Sequence, residues 1–190
     1  MNRERGARAV FLDRDGTLIE DTGYPNNPDS VSLLAGVGEA LDQLKAQGFL
    51  LILVSNQSGI GRGLVTPEAA EEVHRRMTAL LRSKGVELDG AYYCWHTPEQ
   101  GCGCRKPAPG MVLQAANDFG LNLSCCFLVG DKESDLEAGR QAGCKTIFLS
   151  SGQPADGLQA EPEAIARDWR QVLEKILAVS GATPICQTKR

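Results

Sequence analysis

The sequence predicts an α/β fold, a Rossmann-like parallel sheet covered by helices on both faces. Three observations carry that reading. Runs that are apolar throughout, such as AVFL at 9–12 and LLILV at 50–54, read as strands buried on both sides. Amphipathic segments at helical spacing separate them, the alternation expected of a parallel sheet with crossover helices. The strands end in polar clusters, and ligands of such sheets bind beyond the carboxyl ends of the strands.

Taken in order, AVFL is the first strand, followed by a polar, turn-rich stretch through Ser30. Val37, Ala40, Leu41 and Leu44 then recur at helical spacing, and Gly48 supplies the stop. LLILV is the second strand. Thr66, Pro67 and Glu68 read as N-cap, first-turn proline and dipole-complementing acid of a helix with Val73, Met77, Leu80 and Leu81 on one face. AYY (91–93) is a shorter strand running into a cysteine loop at 94–107. Pro109 starts a helix with Val112, Ala115, Ala116 and Phe119 inward, ended by Gly120. CFLVG (126–130), a helix over about 133–142 ending at Gly143, and TIFL (146–149) continue the alternation. Trp169, Val172, Leu173, Ile176 and Leu177 mark a last amphipathic helix. The expected organisation is a single domain over 1–190, with its core at about 8–178 and a frayed tail at about 180–190.

A chain of 190 residues can bury a substantial core without disulfide staples. Its net charge of −4 gives no electrostatic footprint for nucleic acid or an anionic membrane. The N-terminal stretch has no apolar signal-peptide region, and no run approaches the roughly 20 apolar residues that span a bilayer. Seven cysteines, three of them clustered with one of only two histidines, favour reduced thiols and a metal over a disulfide framework. The expectation is a cytoplasmic monomer without nucleic-acid or membrane partners.

The chemistry sits in the strand-end clusters. Asp13 and Asp15 stand two apart at a strand end, where extended geometry points alternate side chains the same way. One carboxylate can serve as nucleophile and the other as general acid and base, with an ordinary Asp-Gly turn as the alternative. A calcium loop fits poorly, because the glycine comes too early and no glutamate closes it. Ser55 and Asn56, with glycines at 59, 61 and 63, can offer hydroxyl and backbone N–H donors to a phosphate. Asp131 either caps the helix that follows it or, beside Asp13 and Asp15, completes an all-oxygen site of the type Mg²⁺ prefers. Lys106 suits a phosphoryl oxygen as a point charge, and Arg105 suits a bidentate clamp. Cys94, His96, Cys102 and Cys104 supply four N/S ligands, the closed tetrahedral set of structural Zn²⁺, with redox cysteines as the alternative. His74, among Glu and Arg on a predicted helix, reads as a surface residue. Cys125, Cys126, Cys144 and Cys186 read as small apolar side chains or exposed tail residues.

Together these motifs resemble the haloacid dehalogenase superfamily of phosphotransferases, whose DxDGT, strand-end Ser, Lys and GDxxxD stretches occur here in the family's order. Within it the chain is similar to the zinc-containing D-glycero-D-manno-heptose 1,7-bisphosphate 7-phosphatase family. FLDRDGTL, DTGY, SNQSGIGRG, the Cys-His loop running into CRKPAPGM, and VGDKESD carry that resemblance over about residues 9–150. The resemblance implies a two-step hydrolysis. Asp13 forms an aspartyl-phosphate, Asp15 protonates the leaving oxygen and later activates water, and Ser55 and Lys106 stabilise the transferring group. It also implies Mg²⁺ on the Asp13 carboxylate, the Asp15 main-chain carbonyl and the Asp131 carboxylate. Substrate contacts would come from Asp21, Thr22, Gly23, Tyr24, Asn56, Gln57, Ser58, Arg105 and Lys132. The chain between the first two strands holds only a loop and one helix, so the superfamily's separate cap domain is absent. A zinc-bound loop beside the site would take its place, fixing Arg105 and Lys106 over the substrate. A histidinol-phosphate phosphatase is the alternative within the family, since the five-residue gap between His96 and Cys102 also suits it. A catalytically silent, zinc-stabilised interaction module is the alternative of a different class, against which the intact Asp13, Asp15, Lys106 and Asp131 weigh.

Overall fold

The computed structural model describes residues 6–150 and 157–181. Six parallel strands form one sheet in the order β3-β2-β1-β4-β5-β6: β1 Ala9–Leu12, β2 Leu50–Asn56, β3 Gly90–Cys94, β4 Phe127–Gly130, β5 Lys145–Leu149 and β6 Ala164–Ala166. The helices are α1 Val37–Ala46, α2 Ser58–Gly61, α3 Pro67–Arg82, α4 Gly110–Phe119, α5 Glu133–Ala142 and α6 Trp169–Ser180.

The period of two along each strand sorts its side chains into two cores. Val10, Leu12, Leu51, Leu53, Phe127 and Val129 pack with α1, α3 and α6 on one face. Ala9, Phe11, Ile52, Val54 and Leu128 pack with α4 and α5 on the other. A strand flanked by two helical layers has no solvent face, which is why these runs carry no polar alternation. The helix starts and stops follow their local chemistry. Thr66 Oγ1 accepts from Ala69 N at 3.2 Å, and Gly120 and Gly143 close α4 and α5 in the left-handed conformation.

Two elements escape the sequence pattern. β6 has three residues with Ile165 exposed, too short to show a period, and α2 is a single turn inside a glycine-rich stretch. The expected tail beyond Gly181 lies outside the described residues, as does Cys186. Among the described residues no helix is long and apolar enough to cross a membrane.

Strand order reverses at β1, because β2 and β3 extend to one side and β4 to β6 to the other. The carboxyl ends of β1 and β4 therefore lie side by side at the switch point, where such sheets open a crevice.

Candidate active site

Asp13 leaves β1 with its N–H donating to Val129 O at 3.0 Å, which seats it beside the end of β4. The chain then turns at once. The Arg14 carbonyl accepts from Leu18 N at 2.9 Å and Ile19 N at 3.0 Å. The two carboxylates, two positions apart, find different partners. Lys106 Nζ bonds Asp13 Oδ1 at 2.7 Å. Asp15 instead receives Arg14 Nε and Nη2, each at 3.0 Å, and Gln57 Nε2 at 2.8 Å.

Lys106 is buried rather than held over the site, which corrects the expectation of two projecting cations. Its ammonium donates to Asp13 and to the Val54 carbonyl at 2.8 Å, and forms an ion pair with Asp135 Oδ1 at 2.5 Å. Burial works against its charge, but Asp13 and Asp135 outweigh that and hold it above the usual ammonium range. Asn56 explains how the loop delivers it. The Asn56 amide accepts from Lys106 N at 3.0 Å and donates to Lys106 O at 2.9 Å, stitching the loop to the end of β2.

The helix after β4 is not capped by Asp131. Its N-cap is Lys132, whose N–H donates to Asp135 Oδ2 at 3.1 Å. Asp131 Oδ1 is buried with no partner, and burial, reinforced by Asp13 and Asp135, pushes its carboxyl up to about 7. Gly16, at φ +79°, is the only kind of residue that fits beside it, since a Cβ there would lie 2.2 Å from Asp131 Oδ2. Asp13, Asp131 and Asp135 bring carboxylate oxygens within 4.8 Å of one another. Both Asp135 oxygens are already engaged, so Asp13 and Asp131 are the ligands in waiting. Hard oxygens and an orphaned buried carboxylate suit a divalent cation such as Mg²⁺.

The second metal-type cluster lies on the loop after β3. Cys94 Sγ stands 3.6 Å from Cys102 Sγ, 3.3 Å from Cys104 Sγ and 3.5 Å from His96 Nδ1; His96 Nδ1 is 3.2 Å from Cys104 Sγ. Zn–S arms of about 2.3 Å at tetrahedral angles give edges of about 3.8 Å, so the four atoms already stand near the corners of such a site. Burial pushes the Cys94 thiol up to about 12, and a cation is what would convert it to thiolate. Arg105 Nη1 donates to His96 O at 3.2 Å, which ties its guanidinium to this loop.

Between the two clusters opens a cleft of about 530 Å³, within the range of small-molecule sites. Asp15, Asp21, Gly23, Tyr24, Asn56, Gln57, Ser58, Gly59, Arg105, Lys106 and Lys132 line it, together with Pro107 and Ser134, which the sequence does not single out. Thr22 does not line it. Lys132 Nζ pairs with Asp21 Oδ2 at 3.1 Å across the rim. Ser55 is buried beneath, its Oγ accepting from Gln57 Nε2 at 2.9 Å. Two of the glycines expected to serve a phosphate are also packing points. A Cβ at Gly59 would meet the Tyr24 ring at 2.7 Å, and one at Gly61 the Trp95 carbonyl at 2.4 Å. They let α2 sit against the Tyr24 wall and the cysteine loop.

His74 is half-buried rather than on the surface, its Nδ1 2.6 Å from the Tyr93 hydroxyl. Cys126 and Cys144 are buried as expected, whereas Cys125 is exposed ahead of β4 rather than in a tail. Arg14 is the residue that reading the sequence misses. Nothing in DRDG distinguishes a buried arginine from a solvated one.

Residues 103–172 match the HAD-hydrolase-like family model. A D-glycero-β-D-manno-heptose-1,7-bisphosphate 7-phosphatase of Pasteurella multocida is 46% identical over 154 residues, covering 77% of this chain and 84% of that protein. The enzyme of that name from Yersinia pestis is 42% identical over 169 residues, covering 85% and 88%. Among solved structures, a D,D-heptose 1,7-bisphosphate phosphatase from B. bronchiseptica, complexed with magnesium and phosphate, superposes with a TM-score of 0.81 at 31% identity, over 91% of this chain and 99% of that one.

Proposed function

The chain belongs to the D-glycero-D-manno-heptose-1,7-bisphosphate 7-phosphatase family of HAD-like hydrolases, and we propose that it removes the 7-phosphate of that sugar bisphosphate. The observation that carries this reading is the pairing of a buried Lys106–Asp13 centre with a cleft rimmed by Arg105 and Lys132. The centre suits attack on one phosphate, and the rim suits a second phosphate that stays on the product.

In the first step an Asp13 carboxylate oxygen attacks phosphorus, the P–O bond to the sugar breaks, and Asp15 gives the leaving oxygen its proton. In the second step Asp15 takes a proton from water, the water oxygen attacks the aspartyl-phosphate, and Asp13 leaves as carboxylate. Lys106 fixes Asp13 throughout, and Ser55 lies under the amide of Gln57 at the same strand end. Mg²⁺, held by Asp13 and Asp131, would supply neutralisation of phosphoryl charge when bound. Zn²⁺ on Cys94, His96, Cys102 and Cys104 would be structural, holding the loop that carries Arg105.

Phosphate release is the test, with the heptose bisphosphate, histidinol phosphate and fructose 1,6-bisphosphate compared as substrates. The expected kcat/KM for the heptose exceeds the other two by about 100-fold or more, the scale of discrimination that several specific polar contacts give. Arg105→Ala should narrow that gap, losing about 10-fold or more on the bisphosphate and little on a monophosphate. Equal efficiency on histidinol phosphate would overturn the heptose assignment.

A further inference from the structure

We propose that Arg14 is a positioning residue that aims Asp15, acting from behind the cleft through a closed clamp with Gln57. This inference rests on the assignment of Asp15 as the proton donor above. Arg14 is 1% exposed, among the largest fully buried side chains of the protein. A guanidinium is buried only where its donors are met, and here they meet chiefly one carboxylate. Nε bonds Asp15 Oδ1 and Nη2 bonds Asp15 Oδ2, each at 3.0 Å, the fork geometry that fixes the plane of a carboxylate. Arg14 Nη2 also donates to Gln57 Oε1 at 2.8 Å, and Gln57 Nε2 donates to Asp15 Oδ2 at 2.8 Å. The three side chains thus close a ring, and the ring determines which way the Gln57 amide faces.

The members of the ring divide by position. Asp15 and Gln57 line the substrate cleft, whereas Arg14 lines only a second cavity of about 280 Å³, which it shares with Gln57, His74, Tyr93 and Trp95. Arg14 therefore reaches the cleft through Asp15 and Gln57, the two side chains it holds. Tyr93 lines the same cavity as Arg14, and its hydroxyl meets His74 Nδ1 at 2.6 Å. Burial holds the Tyr93 hydroxyl protonated and favours a neutral His74, so the phenol can donate to Nδ1. A plain turn residue needs none of this.

The test is leaving-group dependence. A sugar oxygen must be protonated as it leaves, whereas 2,4-dinitrophenolate leaves without help. Arg14→Met should lower kcat/KM for the heptose bisphosphate by about 100-fold, the lower range for losing acid catalysis, with KM nearly unchanged. The same variant should lose less than about 5-fold on 2,4-dinitrophenyl phosphate, because kcat/KM ends at phosphoenzyme formation. Arg14→Lys, which keeps the charge in the buried site but not the fork, should lose about 10-fold or more on the sugar alone. Equal losses on both substrates, or full activity of Arg14→Lys, would overturn the proposal. So would a further loss on the sugar when Arg14→Met is added to Asp15→Asn, since a positioning residue has nothing left to aim there. If Asp15→Asn itself shows no leaving-group dependence, the proton-donor assignment fails first, and the clamp fails with it.

Discussion

The two metal-type clusters of this protein are built on opposite plans. The Cys-His cluster draws its four ligands from residues 94–104, on the end of one strand and the loop that follows. The acidic centre draws Asp13, Asp131 and Asp135 from the ends of two strands and the first turn of a helix, and Lys106 from the far end of the cysteine loop. One is local and needs a cation to be more than a group of thiols. The other is assembled by the sheet, and its charges already satisfy one another through Lys106. A site made of nearby residues should come apart with its metal and leave the domain standing. A site made by the fold should tolerate loss of metal in shape but not the loss of any one carboxylate.

The sharpest break of that contrast is Asp13→Asn, which keeps the shape of the acidic centre and removes its nucleophile. kcat should fall by at least about 10³-fold, with no phosphoenzyme trapped on acid quench, while the melting temperature changes little. Near-normal turnover would show that the covalent reading of this centre is wrong.

Next comes the cradle around Asp131. Gly16→Ala would place a methyl 2.2 Å from Asp131 Oδ2 at a φ of +79° that alanine resists. Displacing a ligand in this way should weaken Mg²⁺ about 10- to 100-fold in activity titrations, the range for disturbing the groups that orient metal ligands. An unchanged Mg²⁺ requirement would remove Asp131 from the metal site.

The local cluster should fail more gently. Cys102→Ser replaces a soft thiolate with a poor ligand, so the purified variant should lose its zinc by metal analysis. Lys106 stays pinned by Asn56, Asp13 and Asp135, whereas Arg105 loses the His96 carbonyl as a fixed anchor. Efficiency on the bisphosphate should drop about 10- to 100-fold, with most of the activity on an aryl phosphate kept. Loss of both activities in a still-folded protein would put the zinc in the chemistry.

The smallest effect is a pH dependence. Asp131 is pushed up to about 7 in the native protein, above the usual carboxylate value. Between about pH 4 and 7 the native form therefore binds more protons than the unfolded chain, and metal-free stability declines as pH rises through that window. Mg²⁺ requires the carboxylate, so it displaces this proton below about pH 7 and not above it. The rise in melting temperature on adding Mg²⁺ should be a few degrees larger at pH 8 than at pH 5.5. A shift that is the same at both values would argue that Asp131 is not the group the cation meets.

Reading the sequence reaches far into the fold because most of its signals are local. The α5 limits follow from Gly143 and the acidic first turn, and the strands from runs too apolar to face water. It stops at β6, where three residues show no period, and at α2, where glycines spaced for a loop form a turn of helix. At the site, DxDG, SNQ, CRKP and GDxxxD are legible as chemistry because each combines uncommon residue types in a short span. Their mutual arrangement is not. Whether Lys106 leans over a substrate or lies beneath it depends on Asn56, fifty residues away, gripping its backbone.

The sequence by itself determined the alternating α/β architecture and the local grouping of Cys94, His96, Cys102 and Cys104 on one loop. Each of these rests on interactions among residues within about a dozen positions. Only the tertiary structure decided that Asp135 pairs with Lys106, that Asp131 Oδ1 is left without a hydrogen-bond partner, and that Arg14 turns inward to hold Asp15. Those outcomes depend on which strand ends the sheet order sets side by side and on how much water remains there. Burial makes an unpaired charge costly, so the packed fold, and not the local spacing, chose the partner of each charge.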